Sequence, residues 1–494
     1  MAHASTEAAA LYTQALDHAK AGQRERAMQL LARAHAIDAK HVGIRNALGV
    51  LTLEAGNASG AVALLKPLAR ELANAAPIQL NFGNALVAAG RAADAIAPLK
   101  RATSLDGTNA VVWYGYARAL QTAGRVDEAD AAYARVLAIN PAHPDARANR
   151  AAALNFLDRY AEADAEAQHV LRSSPTDAGA HFNRAVALLA QGQWAEGWPE
   201  YEWRQHTALL DGQRRVWSAP TWDGNATPGQ TVLVHAEQGF GDTLQFVRYL
   251  PVLRARGVRV VLQCPSTLVR LLRASALADD VIAFGEPLPT HDAQVALTSL
   301  PHALRLHDHA GVMGRGEPYL RAPSDEQATP LAWHEAPSPR VGLVWAGSST
   351  HVNDMHRSCG FAACAPLWQV PGVTWVNLQT RDTTAPAPKV PRGTVWHDHA
   401  PLLGDFADTA RALQSLDLVI TVDSAVAHLA GALGVPCWLL LPRRGLDWRW
   451  AAETSDACWY RSVRTFRQEV PGDWRTTISA VAQALAKRPS PLAG

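Results

Sequence analysis

Cysteine is scarce: Cys264, Cys359, Cys364, Cys437 and Cys458 are the five in 494 residues. Their number is odd, they are scattered, and no two stand as Cys-x-x-Cys. That argues against a disulfide framework and for buried free thiols in a reducing compartment. Net charge is also missing. The 46 basic and 45 acidic residues leave a formal charge of +1, which argues against holding nucleic acid through bulk charge. The chain lacks any charge-free apolar run of about 18 residues, the length a membrane span needs. Its first residues lack the cationic start and apolar stretch of a secretion signal. A soluble, cytoplasmic protein is expected. His351, His356 and Cys359 come nearest to a metal motif, but their spacing fits no standard zinc pattern, so no metal is expected. Hydrophobic residues make up 48% of the chain, ample for packed cores, and the length suggests about three domains.

What the sequence does have is a period. Gly22, Gly56, Gly90 and Gly124 stand 34 residues apart, Asp158 takes the next slot, and Gly192 the one after. Five positions beyond each slot stand Ala27, Ala61, Ala95, Ala129, Ala163 and then Gly197. Seven positions before the slots stand Gly49, Gly83, Ala117, Ala151 and Ala185, each followed three residues later by an apolar side chain such as Leu86, Leu120, Leu154 or Leu188. This spacing predicts a helix A, a turn at the glycine slot and a helix B, with small residues letting the two helices close up. Pro141 and Pro175 end helix B of their units, because proline cannot continue a helix. The 34-residue beat resembles the tetratricopeptide repeat family. It covers residues 8–211 as five regular units and a divergent sixth. The sixth carries Trp194, Trp198, Tyr201 and Trp203, an aromatic load that predicts a cap docked onto the next domain.

From Thr231 the pattern changes. Apolar runs at 231–236, 259–264, 279–284 and 292–297 alternate with amphipathic helices. A Pro/Gly-rich stretch, 311–339, reads as a linker. Runs at 340–345, 373–378, 417–422 and 437–441 then repeat the alternation, and a last helix follows Trp474 before a fraying tail. Such alternation predicts parallel sheets with crossover helices. The expected fold is therefore a helical solenoid followed by two doubly wound α/β lobes, 212–325 and 340–488, the layout called GT-B, which other two-domain enzymes share.

Four loops at strand ends carry the candidate chemistry. Gln238, Gly239, Gly241 and Asp242 open a helix whose free N–H groups suit an anion; Asp242 is either a proton acceptor or an N-terminal cap of its own helix. Asp423 and Ser424 open another helix, with His428 one turn on, where open α/β sheets bind ligands. Trp345 begins a small-residue loop that leads to Arg357, a natural phosphate ligand. Arg443 follows the strand at 437–441 in the run Arg443-Arg444-Gly445-Leu446-Asp447-Trp448-Arg449-Trp450, where arginines suit nucleotide phosphates. Each of these residues also has a purely structural reading.

The segments HAEQGFGDTLQFVRYLP, WAGSSTHVNDMHRS and VDSAVAHLAGALGVP, with the following DWRW, resemble the catalytic module of glycosyltransferase family 9, the heptosyltransferase-like enzymes. The resemblance covers roughly residues 190–480. It implies a transferase without a cofactor that uses a nucleotide-diphosphate sugar, with Asp242 as general base. It places Asp423, Ser424 and His428 along the nucleotide-sugar site and Arg357 on the donor phosphates. Ser424-Ala425 stands where those enzymes commonly have Thr-Gly, and they lack the helical array, so the sugar and the acceptor stay open. Asn81, Asn149 and Asn183 share one position on helix A and resemble the asparagine ladder of repeat-bearing O-GlcNAc transferases, which implies a protein or peptide acceptor. Ala47 and Gly115 interrupt that ladder. Two other readings remain: a scaffold with a degenerate α/β half, and a transferase acting on a glycan or lipopolysaccharide.

Overall fold

An α-helix that must stop and reverse needs a residue in the left-handed region at its end, and glycine reaches it without a Cβ clash. The repeat slots meet that need. Gly22, Gly56, Gly90, Gly124 and Gly192 have φ between +71° and +84°, and Asp158 adopts φ +60° in the same role. The protein is described by a computed structural model covering residues 2–488, apart from 213, 315, 325–329, 352, 381–387 and 452–458. The chain divides into two compact units, Met1–Pro175 and Thr176–Gly494.

The first unit is a helical repeat solenoid. Its helix pairs are Ala2–Lys20 with Arg24–Ile37, Val42–Glu54 with Ala58–Glu71, Ala76–Ala88 with Ala92–Leu105, Ala110–Thr122 with Val126–Ile139, and Pro144–Phe156 with Tyr160–Ser173. The small residues act as expected. A Cβ on Gly49 would lie 2.4 Å from Leu65 Cγ, and one on Gly83 would lie 2.3 Å from Leu99 Cγ. Ala117 and Ala151 fill the same place and are fully buried. Pro141 and Pro175 each stand just past a helix B and its cap residue.

The second unit begins with the sixth helix pair, Ala178–Ala190 and Trp194–Tyr201. Trp194, Trp198 and Tyr201 dock onto the α/β part as expected, while Trp203 stacks on His181 of the first of these helices. Trp198 packs edge-on to Trp448 at 5.7 Å and to Phe246 at 6.4 Å, and Trp194 meets Trp459 at 6.2 Å. Beside them Arg204 is completely buried. It donates to Glu237 Oε1 at 2.7 Å, to Glu202 Oε1 at 2.9 Å and to Ser299 Oγ at 2.7 Å. The chain pattern gave no sign of this buried ion group.

Two parallel sheets follow. The first has strands β1 (Thr231–His235), β2 (Arg259–Cys264), β3 (Asp280–Ala283) and β4 (Ala293–Ala296), in spatial order β3-β2-β1-β4. The second has β5 (Arg340–Val344), β6 (Thr374–Asn377), β7 (Val395–Asp398), β8 (Leu418–Val422), β9 (Cys437–Leu441) and β10 (Val463–Arg467), ordered β10-β9-β8-β5-β6-β7. The second order is that of a doubly wound sheet, with its direction of winding switching between β5 and β8; the first switches between β1 and β4.

The segment 311–339 is not a free linker. Trp333 is fully buried and donates its indole N–H to Ser415 Oγ at 3.0 Å. The Tyr319 hydroxyl donates to Leu244 O at 2.9 Å. Aromatic side chains within a Pro-rich stretch anchored it to both sheets' helices. Cys264, Cys364 and Cys437 are buried free thiols and Cys359 is half-buried; Cys458 and the tail 489–494 lie outside the described residues. Among the described residues no helix is long and apolar enough to cross a membrane, and no three His, Cys, Asp or Glu side chains are grouped to hold a metal ion.

Candidate functional site

Ligands of doubly wound sheets sit beyond the carboxyl ends of the strands at the switch point. The turn after β1 holds Gln238–Asp242, the turn after β5 holds Trp345–Arg357, and the turn after β8 holds Asp423–His428. The first and third of these turns abut. A Cβ on Gly241 would lie 2.9 Å from His428 Cδ2 and 3.8 Å from the Cα of Ala425. The helices Phe240–Phe246 and Ala425–Leu433 therefore bring their N-terminal ends against each other, and only a residue without a side chain fits at 241. Gly239 is different: its φ is −90° and the nearest atom to a Cβ is 3.3 Å away. Gln238 takes the left-handed conformation, φ +62°, and its amide donates to the Tyr201 hydroxyl at 3.1 Å.

Asp242 caps its own helix and also pairs with a cation across the corner. Its Oδ2 accepts the Gly239 N–H at 2.9 Å, which caps the helix start, and its Oδ1 accepts from Arg449 at 2.5 Å. Arg449 is almost wholly buried. Its guanidinium also donates to Asp447 Oδ2 at 2.8 Å and to Gln245, and it stacks on Trp448 with 4.5 Å to the ring centroid. Burial pushes the Asp242 carboxyl above the ordinary range, with Arg449 opposing. Burial also raises Asp447, but Arg449 outweighs it and the net shift is downward.

The next residue, Trp450, links the same corner to the other turn: its indole N–H donates to Asp423 Oδ1 at 2.9 Å. Burial, then the neighbouring Asp447, pushes Asp423 up to about 6. His428 is enclosed between Trp450, stacked at 5.2 Å, and the Tyr460 hydroxyl, 3.0 Å from Nδ1. Burial lowers its pKa to about 3, and Arg449 adds to that shift, so it is a neutral imidazole. Ser424 starts its helix without capping it; its hydroxyl lies 3.2 Å from Thr421 Oγ1.

The Arg357 guanidinium lies flat on Gly347, where a Cβ would come 2.6 Å from it. It is near enough to Asp423 to oppose that group's upward shift. His351 is held below the ordinary imidazole range by burial and by Arg357, while Asp447, Asp354 and Asp242 pull the other way. Asn353 donates to Gly445 O at 2.6 Å, which fastens the third loop to the fourth.

Gly241, Asp242, Asp423, Ser424, His428 and Arg357 thus gather in one corner. Trp345 stands apart: its ring packs on Phe361 at 4.8 Å among the apolar side chains of the second lobe. The Arg443 backbone N–H donates to Gln468 Oε1 at 3.1 Å. From the same loop Arg449 reaches Asp242 and Trp450 reaches Asp423. The signal lay in the spacing Asp447-x-Arg449, a carboxylate and a cation close enough to pair.

In the first unit, Asn81 donates to Asn46 Oδ1 at 2.9 Å and Asn149 donates to the Tyr114 hydroxyl at 3.0 Å. Both are half-buried, and each bonds to helix A of the preceding repeat. Asn183 belongs to the second unit.

Residues 86–154 match the family model of the tetratricopeptide repeat, and with the helix pairs this places tetratricopeptide repeats in the N-terminal region. Protein FlbA of Caulobacter vibrioides is 29% identical over 320 residues, covering 60% of this chain and 53% of that protein. The chain thus spans about half the length of this curated relative. The first unit, 175 residues, is shorter than the matched share, so the similarity reaches into the second unit. Solved structures with similarity include a repeat protein of Thermus thermophilus, 21% identical with TM-score 0.32, covering 37% of this chain and 99% of that one. A repeat protein of Parabacteroides merdae is 15% identical with TM-score 0.36, covering 42% and 85%.

Proposed function

We propose that the second unit is a glycosyltransferase that moves a sugar from a nucleotide-diphosphate sugar to an acceptor hydroxyl, inverting the anomeric centre and using no metal. The observation that carries this reading is the abutment of two strand-end turns at Gly241 and His428, with Asp242, Asp423 and Arg449 around them. The donor diphosphate rests on the N-terminal amides of the Ala425–Leu433 helix and on Arg357. Asp242 accepts the proton of the acceptor hydroxyl as its oxygen bonds to the anomeric carbon and the bond to the diphosphate breaks. Arginines stabilise the departing nucleoside diphosphate. Asp242 enters this arrangement paired with Arg449, so the guanidinium passes to the diphosphate and leaves the carboxylate to the acceptor. Tetratricopeptide repeats are protein-interaction scaffolds, and here the array presents a protein or peptide acceptor.

A screen of nucleotide sugars for thermal stabilisation tests the donor, because a ligand of the folded state alone must raise its stability. Transfer that continues at the wild-type rate in Asp242→Ala would remove the base assignment. A second reading is a repeat scaffold with a non-catalytic α/β half. It is favoured by the occupation of both Asp242 oxygens, and absence of binding by any nucleotide sugar would support it.

A further inference from the structure

The first unit holds a groove of about 490 Å³ between its second and third helix pairs. Its floor is Ala69, Ala73, Phe82, Ala97 and Pro98; its rim is Lys66, Arg70 and Arg101. The rim is exposed and carries no carboxylate. The only acidic residues of the two bordering helices B are Glu71 and Asp94. Each is engaged by an arginine outside the groove: Glu71 by Arg45 at 2.7 Å and Asp94 by Arg91 at 2.7 Å. Three positive charges are thus left together in a chain whose total is +1.

One residue explains why the groove is open. Gln79 lies 34 positions from both Arg45 and Trp113. At the latter position the large indole of Trp113 lies across to the preceding loop and donates to Gly107 O at 3.0 Å. At the former, the Arg45 side chain crosses to Glu71. Gln79 instead turns inward, buried, and donates to Ala69 O at 2.7 Å. It satisfies a backbone carbonyl and vacates the space outside.

We propose that this groove is a docking site for an acidic segment of a partner protein, with one apolar side chain on the Phe82–Pro98 floor and carboxylates on the Lys66, Arg70 and Arg101 rim. Charge complementarity selects the sign, and the apolar floor selects a peptide over nucleic acid, since Phe82 is the one aromatic ring in the lining. The site is separate from the positions of Asn81 and Asn149 and does not depend on the transferase reading.

The test uses the full chain and a synthetic octapeptide of Asp and Glu around a central Leu, with a Lys-substituted counterpart. Binding of the acidic peptide, weakening as salt rises, is expected. Arg70→Glu with Arg101→Glu should weaken it roughly tenfold or more. Gln79→Trp should block it without a change of charge. Arg135→Glu, one period from Arg101, should leave it unchanged, and unaltered circular dichroism checks that each variant folds. Equal binding of the acidic and basic peptides, an unmoved affinity in both groove variants, or displacement of the peptide by a single-stranded oligonucleotide at equal concentration would overturn the proposal.

Discussion

The indole N–H of Trp450 donates to Asp423 Oδ1 at 2.9 Å, inside a corner that raises this carboxyl to about 6. A carboxyl that holds its proton more tightly folded than unfolded stabilises the fold at low pH and loses that contribution as pH rises through its folded value. Asp423→Asn keeps an acceptor for Trp450 and removes the charge. The variant is expected to be more stable than wild type at pH 7.5, with the gain shrinking towards pH 5 as wild-type Asp423 takes up its proton. Urea midpoints at the two pH values measure this; an equal difference at both would show that the charge is not the cause.

Arg449 and Asp242 are unequal partners. Arg449 retains Asp447 and Gln245 when Asp242 is lost. Asp242 loses its cation when Arg449 is lost. Arg449→Met should therefore cost about 3 kcal/mol, the scale of breaking a buried ion pair from one side. Asp242→Asn should cost clearly less. Chemical denaturation of the two variants decides; a larger loss in Asp242→Asn would contradict the geometry.

The two glycines of the first loop should separate on substitution. Gly241→Ala places a Cβ 2.9 Å from His428, and overpacking of this kind costs about 1–3 kcal/mol. Gly239→Ala meets only the edge of the Asp242 carboxylate at an ordinary φ and should be near neutral. Melting temperatures of the pair check it.

Asp158 holds φ +60° where the other repeats use glycine. The left-handed region costs an ordinary residue about 1 kcal/mol. Asp158→Gly should recover up to about 1 kcal/mol, reduced by loss of the contact from the Tyr160 hydroxyl to Asp158 Oδ1 at 3.1 Å. A lower melting temperature in this variant would mean that the side chain contributes more than the backbone strain.

The repeats were legible because their constraint is local: a positive φ and a close helix approach fix residue type at a fixed interval. Eight of the strands were legible as apolar runs because they lie inside or beside covered sheets. β7 and β10 were not. Both are edges of the second sheet with at most one buried residue, unlike the better covered edges β3 and β4, and Val395-Trp396-His397-Asp398 and Val463-Arg464-Thr465-Phe466-Arg467 carry polar residues that a half-exposed edge tolerates. In the site, glycine, aspartate and histidine at helix starts could be read from the chain. The Arg449–Asp242 pair joins residues 207 apart, and no local pattern announces such a contact. The packing of Trp345 on Phe361 was hidden in the same way, since the two rings meet across a loop of sixteen positions.

The sixth helix pair travels with the α/β half and not with the solenoid. A scission between Pro175 and Thr176 should leave the larger fragment wearing a helical collar over Trp448 and Trp459. A cut placed after residue 211, where the repeat period ends, would strip that collar and bare the indole surface beneath, giving a fragment prone to self-association. The boundary that matters for dissecting this protein is set by tryptophan packing rather than by the arithmetic of its repeats.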